Sequence, residues 1–311
     1  MFDFMKPLPA RVSVREVGPR DGLQIGPVVS TEHKIAMLEA LVATGVSRIE
    51  ATSFVSPRAV PALADAEQVA EALQRWPQVI WSALVASSRG TARALAAGIT
   101  HLEYVISASD AHSRANVGRS TGQSVDLVDE IADQVHAAGG TLEVIIATAW
   151  DCPFTGTMPI QAPVTVAREA LRRGADALCL GDTIGTTTPR RVIGLLDAVR
   201  DVADARDVGV HFHNTRGTGI ANALAALQAG VTSLDASVGG LGGCPFAPGA
   251  SGNIATEELV YLLDGCGVAS GIELDAVVAA AAVTEQAVGH DLPSSLYRAG
   301  GRLRPLYMTR Q

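Results

Sequence analysis

The 311-residue sequence lacks several features that would assign it to common functional classes. It has no excess of basic residues, since its formal net charge is −8 and its pI is about 5.4, which argues against a nucleic-acid-binding surface. Its longest apolar run, 276–283, is far shorter than the roughly 20 residues that span a membrane. The N-terminus lacks the basic start and apolar core of a signal peptide. We therefore expect a cytoplasmic protein without nucleic-acid or membrane partners.

Cysteine is also scarce. Cys152, Cys179, Cys244 and Cys266 form no CxxC pair and show no disulfide-like spacing, which is typical of a reducing compartment. Cys179 lies within an apolar run and is expected to be a small buried hydrophobe. Cys244 lies among six glycines between positions 239 and 252, where a thiol can act as an acid or a nucleophile. Burial without chemistry is the alternative for Cys244.

The sequence does contain a regular alternation of apolar, β-branched runs with helix-like stretches. Several of these stretches end in glycine, at positions 98, 139, 174 and 230, as helices commonly do. The helices are expected at 31–43, 62–74, 125–138, 164–173 and 219–229. The strands are expected at 12–17, 47–54, 81–86, 101–107, 142–149, 177–182, 208–213 and 233–238.

Eight strands alternating with helices predict a parallel sheet in an α/β protein. That number of strands at this length favours a closed (β/α)8 TIM barrel over an open doubly wound sheet. The glycine-rich nucleotide turn of an open sheet, GxGxxG, is missing, because Gly-Pro-Arg-Asp-Gly follows the first strand at 18–22. We expect a single domain over 1–311, with the barrel at about 12–264. Extra C-terminal helices at about 265–311 would cap the barrel or form a subunit contact.

Polar residues recur where the predicted strands end. Arg20 and Asp21 follow the first strand, Asp182 ends the sixth, and His211 and His213 end the seventh. In TIM barrels the active site lies at the carboxyl ends of the strands. We therefore expect these side chains to share one site.

Two histidines two residues apart on a strand project from the same face. Asp21, His211, His213 and Asn253 would bring two imidazoles and two oxygens to one centre, a donor set that suits Mg²⁺ or Mn²⁺. Zinc fits less well, because the nearby cysteine is not spaced as a ligand. Histidines bonded to backbone in the core are the alternative.

Three charged residues would surround this centre. Arg20 places a permanent cation beside the metal, where it can stabilise an enolate, or it closes the barrel through a salt bridge. Glu50, inside the second strand, is expected to pair with Arg20. Asp182, in Gly-Asp-Thr, is expected either to support a histidine or to cap a helix.

Four segments, 16–24, 50–57, 180–185 and 239–257, resemble the 3-hydroxy-3-methylglutaryl-CoA lyase family. That family belongs to the metal-dependent pyruvate-carboxyltransferase-like barrels, and the resemblance runs from about 12 to 264. It implies a retro-Claisen cleavage of a 3-hydroxyacyl-CoA to acetyl-CoA and a keto acid, in which a base near the metal, Asp21 or His211, takes the hydroxyl proton. The resemblance also implies the metal ligands Asp21, His211, His213 and Asn253, the catalytic arginine Arg20, the loop cysteine Cys244, and the supporting acids Glu50 and Asp182.

The chain departs from the family pattern near the substrate. Asn214-Thr215-Arg216 stands where these lyases usually have Asp-Thr-Tyr, and Asn116 is retained among altered neighbours. We expect Asn116, Asn214 and Arg216 to set substrate specificity, with Arg216 contacting the acyl carboxylate. A related 3-hydroxydicarboxyl-CoA, such as citramalyl-CoA, is therefore an alternative to the 3-hydroxy-3-methylglutaryl thioester.

Two other functions stay open. A Claisen-condensing synthase of the same superfamily would share the His-x-His-Asn pattern, but it would not share the Cys-Pro-Phe-Ala-Pro-Gly-Ala-Ser loop that starts at Cys244. A non-catalytic barrel that binds CoA esters is the second, since a fold alone does not fix function. The superfamily and the C-terminal helices suggest a homodimer.

Overall fold

A closed barrel of eight parallel strands forms the centre of the molecule. The computed structural model describes residues 7–243 and 252–300. The strand order around the barrel is β1-β8-β7-β6-β5-β4-β3-β2, which confirms the predicted (β/α)8 architecture. The strands are β1 Ser13–Glu16, β2 Arg48–Ser53, β3 Ile80–Val85, β4 His101–Ser107, β5 Thr141–Ala147, β6 Ala177–Asp182, β7 Val208–Phe212 and β8 Ser233–Ala236.

Helices cover the outside of the barrel and extend it at the C-terminal end. Glycines 98, 139, 174 and 230 all have positive φ, as expected for residues that end a helix. None of the helices in the described part of the chain is long and apolar enough to cross a membrane. They are α1 Thr31–Val42, α2 Ala66–Ala72, α3 Ser88–Ala96, α4 Asp110–Val117, α5 Thr121–Asp126, α6 Val128–Ala137, α7 Gln161–Arg172, α8 Pro189–Ala203, α9 Gly219–Gln228, α10 Thr256–Gly265, α11 Leu274–Val288 and α12 Ser295–Ala299.

The structure divides two of the predicted helices. The segment 62–74 contains the 3₁₀ turn Pro61–Leu63, helix α2 and a second 3₁₀ turn, Leu73–Arg75. The segment 125–138 starts inside α5, and α6 begins only at Val128. Apolar periodicity predicts which face of such a segment is buried, but it does not show where one helix ends and the next begins.

The barrel interior contains a cluster of charges. Arg15 of β1 contacts Glu103 of β4 at 2.8 Å, Glu143 of β5 at 2.6 Å and Asp235 of β8 at 2.8 Å. Because β1 does not adjoin β4 or β5, the first two contacts cross the inside of the barrel. Arg15 is 2% exposed, so these pairs lie away from water. One cation thus connects four strands from within.

The segment that follows α11 packs on the start of the glycine-rich loop. Leu292 is fully buried, and the backbone N–H of Ser294 donates to the carbonyl of Gly239 at 3.1 Å. Gly239 has φ +65°, and a Cβ placed on it would lie 2.2 Å from Leu292 Cδ1. Gly239 is therefore required both by its backbone conformation and by the close approach of Leu292.

We expect Gly239→Ala to lower stability more than Gly98→Ala does. Gly98 also has a positive φ, +85°, but a Cβ there would meet no atom within 4 Å. Gly98→Ala therefore carries only the left-handed strain of about 1–2 kcal/mol, whereas Gly239→Ala adds an overpacking penalty of about 1–3 kcal/mol. Urea unfolding followed by circular dichroism measures both, and Leu292→Ala should restore part of the loss in the Gly239→Ala background. Equal losses for the two glycine variants would contradict this packing role.

Candidate metal centre and active site

Asp21, His211 and His213 meet at the carboxyl end of the barrel. Their potential ligand atoms all lie within 4.8 Å of one another, and all three residues are buried. The two imidazole rings, on the same face of β7 and its extension, have centroids 5.1 Å apart. Asp21 comes from a single π-helical turn, Gly18–Gly22, directly after β1. The ends of two strands thus supply the three side chains, as the alternation of residues predicts.

The π-helical turn is fixed by the carboxylate of Glu16. Glu16 Oε1 accepts the N–H groups of Gly18 at 2.7 Å and Val238 at 2.9 Å, and Oε2 accepts the hydroxyl of Thr256 at 2.6 Å. Burial raises the pKa of Glu16 to about 7, although the three hydrogen bonds oppose the shift. Glu16 therefore ties the turn that carries Asp21 to the segment that follows β8.

Asn253 joins the cluster from the far side of the glycine-rich loop. The backbone of Asn253 forms a β-bridge with His213. The side-chain Nδ2 of Asn253 donates to Asp21 Oδ2 at 2.7 Å and to the carbonyl of Leu241 at 3.1 Å. Its Oδ1 is buried and has no hydrogen-bond partner within the described ranges. A buried amide oxygen without a donor is costly, and a cation at this point would satisfy it.

Asp21 and His213 of the cluster are in the protonation states that bind a cation. Burial raises the pKa of Asp21, but Arg20 and both imidazoles outweigh it and lower the value to about 2. Burial and the neighbouring His211 lower the pKa of His213 to about 4. Burial also lowers the pKa of His211, but Asp235 and Asp21 outweigh it and the pKa is raised. At neutral pH Asp21 is thus an anion and His213 is neutral, which are the forms that bind a metal.

Arg20 lies directly beside Asp21. Its Nη1 donates to Asp21 Oδ1 at 2.7 Å, and its Nε lies 2.7 Å from Oε1 of Glu50, which is fully buried. Burial lowers the pKa of Arg20, but Glu50 and Asp21 outweigh it and raise the pKa. The predicted Arg20–Glu50 pair is therefore present, and it holds the guanidinium in one orientation.

Asp182 has neither of the two roles expected from the sequence, which were to support a histidine and to cap a helix. Its carboxylate accepts the backbone N–H groups of Thr186 at 3.0 Å and Thr187 at 3.2 Å, whereas the N-cap of α8 is Thr188. Burial raises its pKa to about 6. Asp182 thus shapes the loop after β6.

The carboxylate that contacts His211 is Asp235, with Oδ2 3.1 Å from Nδ1. Sequence reasoning missed both Asp235 and its partner Arg15. The available signal was a charged residue inside each of two otherwise apolar strands, β8 and β1.

The predicted specificity residues lie further out. Asn214 Oδ1 accepts the N–H of Gly219 at 3.1 Å, at the start of α9. Arg216 is exposed, and its Nη1 donates to the carbonyls of Ile184 at 2.7 Å and Gly185 at 3.2 Å. Asn116 is exposed on α4. Cys244 lies outside the described residues.

Comparison with known proteins agrees with this geometry. The HMGL-like family matches residues 11–284. The chain is 41% identical over 289 residues to hydroxymethylglutaryl-CoA lyase YngG of Bacillus subtilis, covering 93% of this chain and 97% of that protein. It is also 41% identical over 300 residues to (R)-citramalyl-CoA lyase of Chloroflexus aurantiacus, covering 93% and 95%. The solved structure of an HMG-CoA lyase from Acinetobacter baumannii, in complex with coenzyme A and 3-methylmalate, superposes with a TM-score of 0.89 at 38% identity, covering 98% of this chain and 100% of that one.

We expect Asn253→Ala to weaken Mn²⁺ binding on the order of 10- to 100-fold, since it removes the unpaired Oδ1 and the contact with Asp21. Asn222→Ala is the matched control, because Asn222 is also fully buried with an unpaired Oδ1 but lies on α9, outside the cluster. Calorimetric titration of chelator-treated protein gives both affinities. An Asn253→Ala protein that binds Mn²⁺ within about twofold of wild type would exclude Asn253 from the site.

Proposed function

The chain belongs to the HMGL-like family, and we propose that it is a metal-dependent acyl-CoA lyase acting on 3-hydroxy-3-methylglutaryl-CoA or a close analogue. The products are acetyl-CoA and a keto acid. The observation that carries this proposal is the meeting of Asp21, His211 and His213 within 4.8 Å, with the guanidinium of Arg20 bonded to Asp21. Cleavage to an enolate requires a cation that stabilises the developing negative charge, and Arg20 places one next to the proposed metal ligands.

The reaction is a retro-Claisen cleavage. The 3-hydroxyl loses its proton and becomes the carbonyl of the keto acid. The bond between C2 and C3 breaks, and its electron pair passes to the thioester as an enolate. The enolate then takes up a proton and becomes acetyl-CoA.

Asp21, His211, His213 and Oδ1 of Asn253 would hold a divalent ion, for which Mg²⁺ and Mn²⁺ fit this donor set. Such an ion, when bound, orients the substrate hydroxyl and carboxylate and lowers the pKa of the hydroxyl. Asp21 and His211 are the two candidate bases for the hydroxyl proton, and only a side-chain atom that does not ligate the ion can take up that proton.

Arg20 stabilises the enolate oxygen. Its Nε and Nη1 face Glu50 and Asp21, which leaves Nη2 for the substrate. Glu50 acts through Arg20 by holding it in place. Cys244 on the glycine-rich loop protonates the enolate, while Asp182 keeps the neighbouring loop in shape.

A second candidate substrate is citramalyl-CoA, whose carboxylate lies one methylene closer to the hydroxyl-bearing carbon. Two observations favour it: the relative from Chloroflexus aurantiacus is as similar as the one from Bacillus subtilis, and Arg216 introduces a cation where these lyases usually have an aromatic residue. Asn116 and Asn214 would line the substrate pocket together with Arg216.

We also propose that the enzyme is a cytoplasmic homodimer. The cysteines that the structure describes, Cys152, Cys179 and Cys266, are free thiols, as in a reducing compartment. Sedimentation of the purified protein measures the subunit number.

With Mg²⁺ or Mn²⁺ we expect acetyl-CoA release from one or more of a panel of 3-hydroxydicarboxyl-CoA thioesters. Arg20→Gln should lower kcat by about 10²–10³-fold, because it removes a charge that acts in the transition state. Arg93→Gln, which alters a partly exposed arginine paired with Glu67 on the outer helices, is the control and should keep wild-type kcat. Absence of acetyl-CoA release across the panel would reject lyase activity, and CoA release from acetyl-CoA plus a keto acid would indicate a synthase.

We expect Arg216→Tyr to shift the ratio of kcat/KM values for citramalyl-CoA and 3-hydroxy-3-methylglutaryl-CoA about tenfold towards the latter, within the range of a one-methylene discrimination. Arg206→Tyr is the matched control, because Arg206 is exposed at the opposite end of β7. An unchanged ratio in Arg216→Tyr would show that Arg216 does not contact the acyl group.

A further inference from the structure

The orientation of the His211 imidazole is set by a residue of the neighbouring strand. His211 and Asp235 are register partners in β7 and β8, and Nδ1 of the imidazole lies 3.1 Å from Asp235 Oδ2. Both side chains are buried, so water does not compete for this contact. One nitrogen of the imidazole, Nδ1, therefore contacts Asp235, and the other, Nε2, is available to the cluster with Asp21 and His213.

Asp235 is itself held rigidly. Arg15 donates from Nε to Oδ1 at 2.9 Å and from Nη2 to Oδ2 at 2.8 Å, which is a bidentate pair. Arg15 is anchored in turn by Glu103 and Glu143 at 2.8 and 2.6 Å. A carboxylate that already receives two bonds from a guanidinium is an acceptor only, so the proton of the His211 contact belongs to Nδ1.

We propose that Asp235 is a positioning residue for the metal centre: it accepts the Nδ1–H of His211, fixes the tautomer whose free nitrogen is Nε2, and directs Nε2 to the point shared with Asp21 and His213. A carboxylate bonded to the second nitrogen of a ligating histidine fixes the ring and increases its basicity. This inference rests on the metal site of the proposed function, but it concerns the residues behind that site.

Asp235→Asn is the direct test. An amide has one acceptor oxygen where the carboxylate has two, so its NH2 group faces a donor of Arg15 or the Nδ1–H of His211, and the imidazole loses the negative charge of its partner in either orientation. We expect Mn²⁺ affinity to fall about 10- to 100-fold. Glu143→Gln is the matched control, because Glu143 also pairs with Arg15 but does not contact His211, and it should keep affinity within about threefold. Thermal unfolding measures how much stability each variant loses, since both substitutions remove a carboxylate partner of Arg15.

A measurement on the wild-type protein makes the test independent of whether the variants fold. With ¹⁵N-labelled histidine and diamagnetic Mg²⁺, the nitrogen chemical shifts of His211, assigned with His211→Asn, should show a protonated Nδ1 and an unprotonated Nε2. An Nε2–H tautomer in the wild type would overturn the proposal. So would equal losses of Mn²⁺ affinity in Asp235→Asn and Glu143→Gln.

Neither measurement uses a substrate. A protein that cleaves none of the thioesters but shows the expected tautomer and the selective loss of Mn²⁺ affinity would contradict the proposed function and support the role of Asp235. An active lyase with the opposite tautomer would give the reverse result.

Discussion

Two buried arginines pair with five carboxylates inside the barrel, and the arrangement of the site depends on these contacts. Arg15 pairs with Glu103, Glu143 and Asp235, while Arg20 pairs with Asp21 and Glu50. An uncompensated charge in such an interior costs about 3–5 kcal/mol. Because the partners of Arg15 and Arg20 come from the turn after β1 and from β2, β4, β5 and β8, these contacts also fix how the strands face one another. The same contacts orient Asp21 and, through Asp235, His211.

The site forms only when residues far apart in the sequence meet. Asn253 donates to Asp21 across 232 positions of sequence, and Glu16 holds both Val238 and Thr256. The segment after α11 packs Leu292 against Gly239 at the start of the glycine-rich loop. The C-terminal helices are therefore part of the site's support rather than an appendage. The proposed ligand Asn253 and the proposed acid Cys244 belong to the segment 239–253, and contacts with distant parts of the chain hold Gly239 and Asn253 at its two ends.

Local sequence patterns predicted the barrel and the cluster of Asp21, His211 and His213. Strand periodicity and the carboxyl-end rule of TIM barrels depend on the order of residues alone. The partners of these residues depend on strand register and on contacts across the barrel, which no local pattern records. Asp235 was therefore missed, although it is the register partner of His211. Asp182 illustrates the same limit, because Gly-Asp-Thr was expected to support a histidine or to cap a helix, whereas in the folded chain its carboxylate accepts two backbone N–H groups of the loop after β6.

The proposed catalytic residues are buried, whereas the proposed specificity residue Arg216 is exposed. This difference explains how one barrel can keep its chemistry while its substrate changes. In the proposed mechanism the proton transfers and the enolate depend on Arg20, Asp21 and the histidines, which are all buried. Ion pairs connect Arg20 with Asp21 and Glu50, so a change at one of these residues disturbs the others. Arg216 is exposed, and its Nη1 bonds the carbonyls of Ile184 and Gly185, outside the buried network of ion pairs. The two candidate substrates differ by one methylene, a difference worth about 1–3 kcal/mol in a binding pocket. A single residue that contacts the acyl group can supply free energy of that size, so the proposed role of Arg216 would let substrate choice change without any change in the proposed catalytic residues.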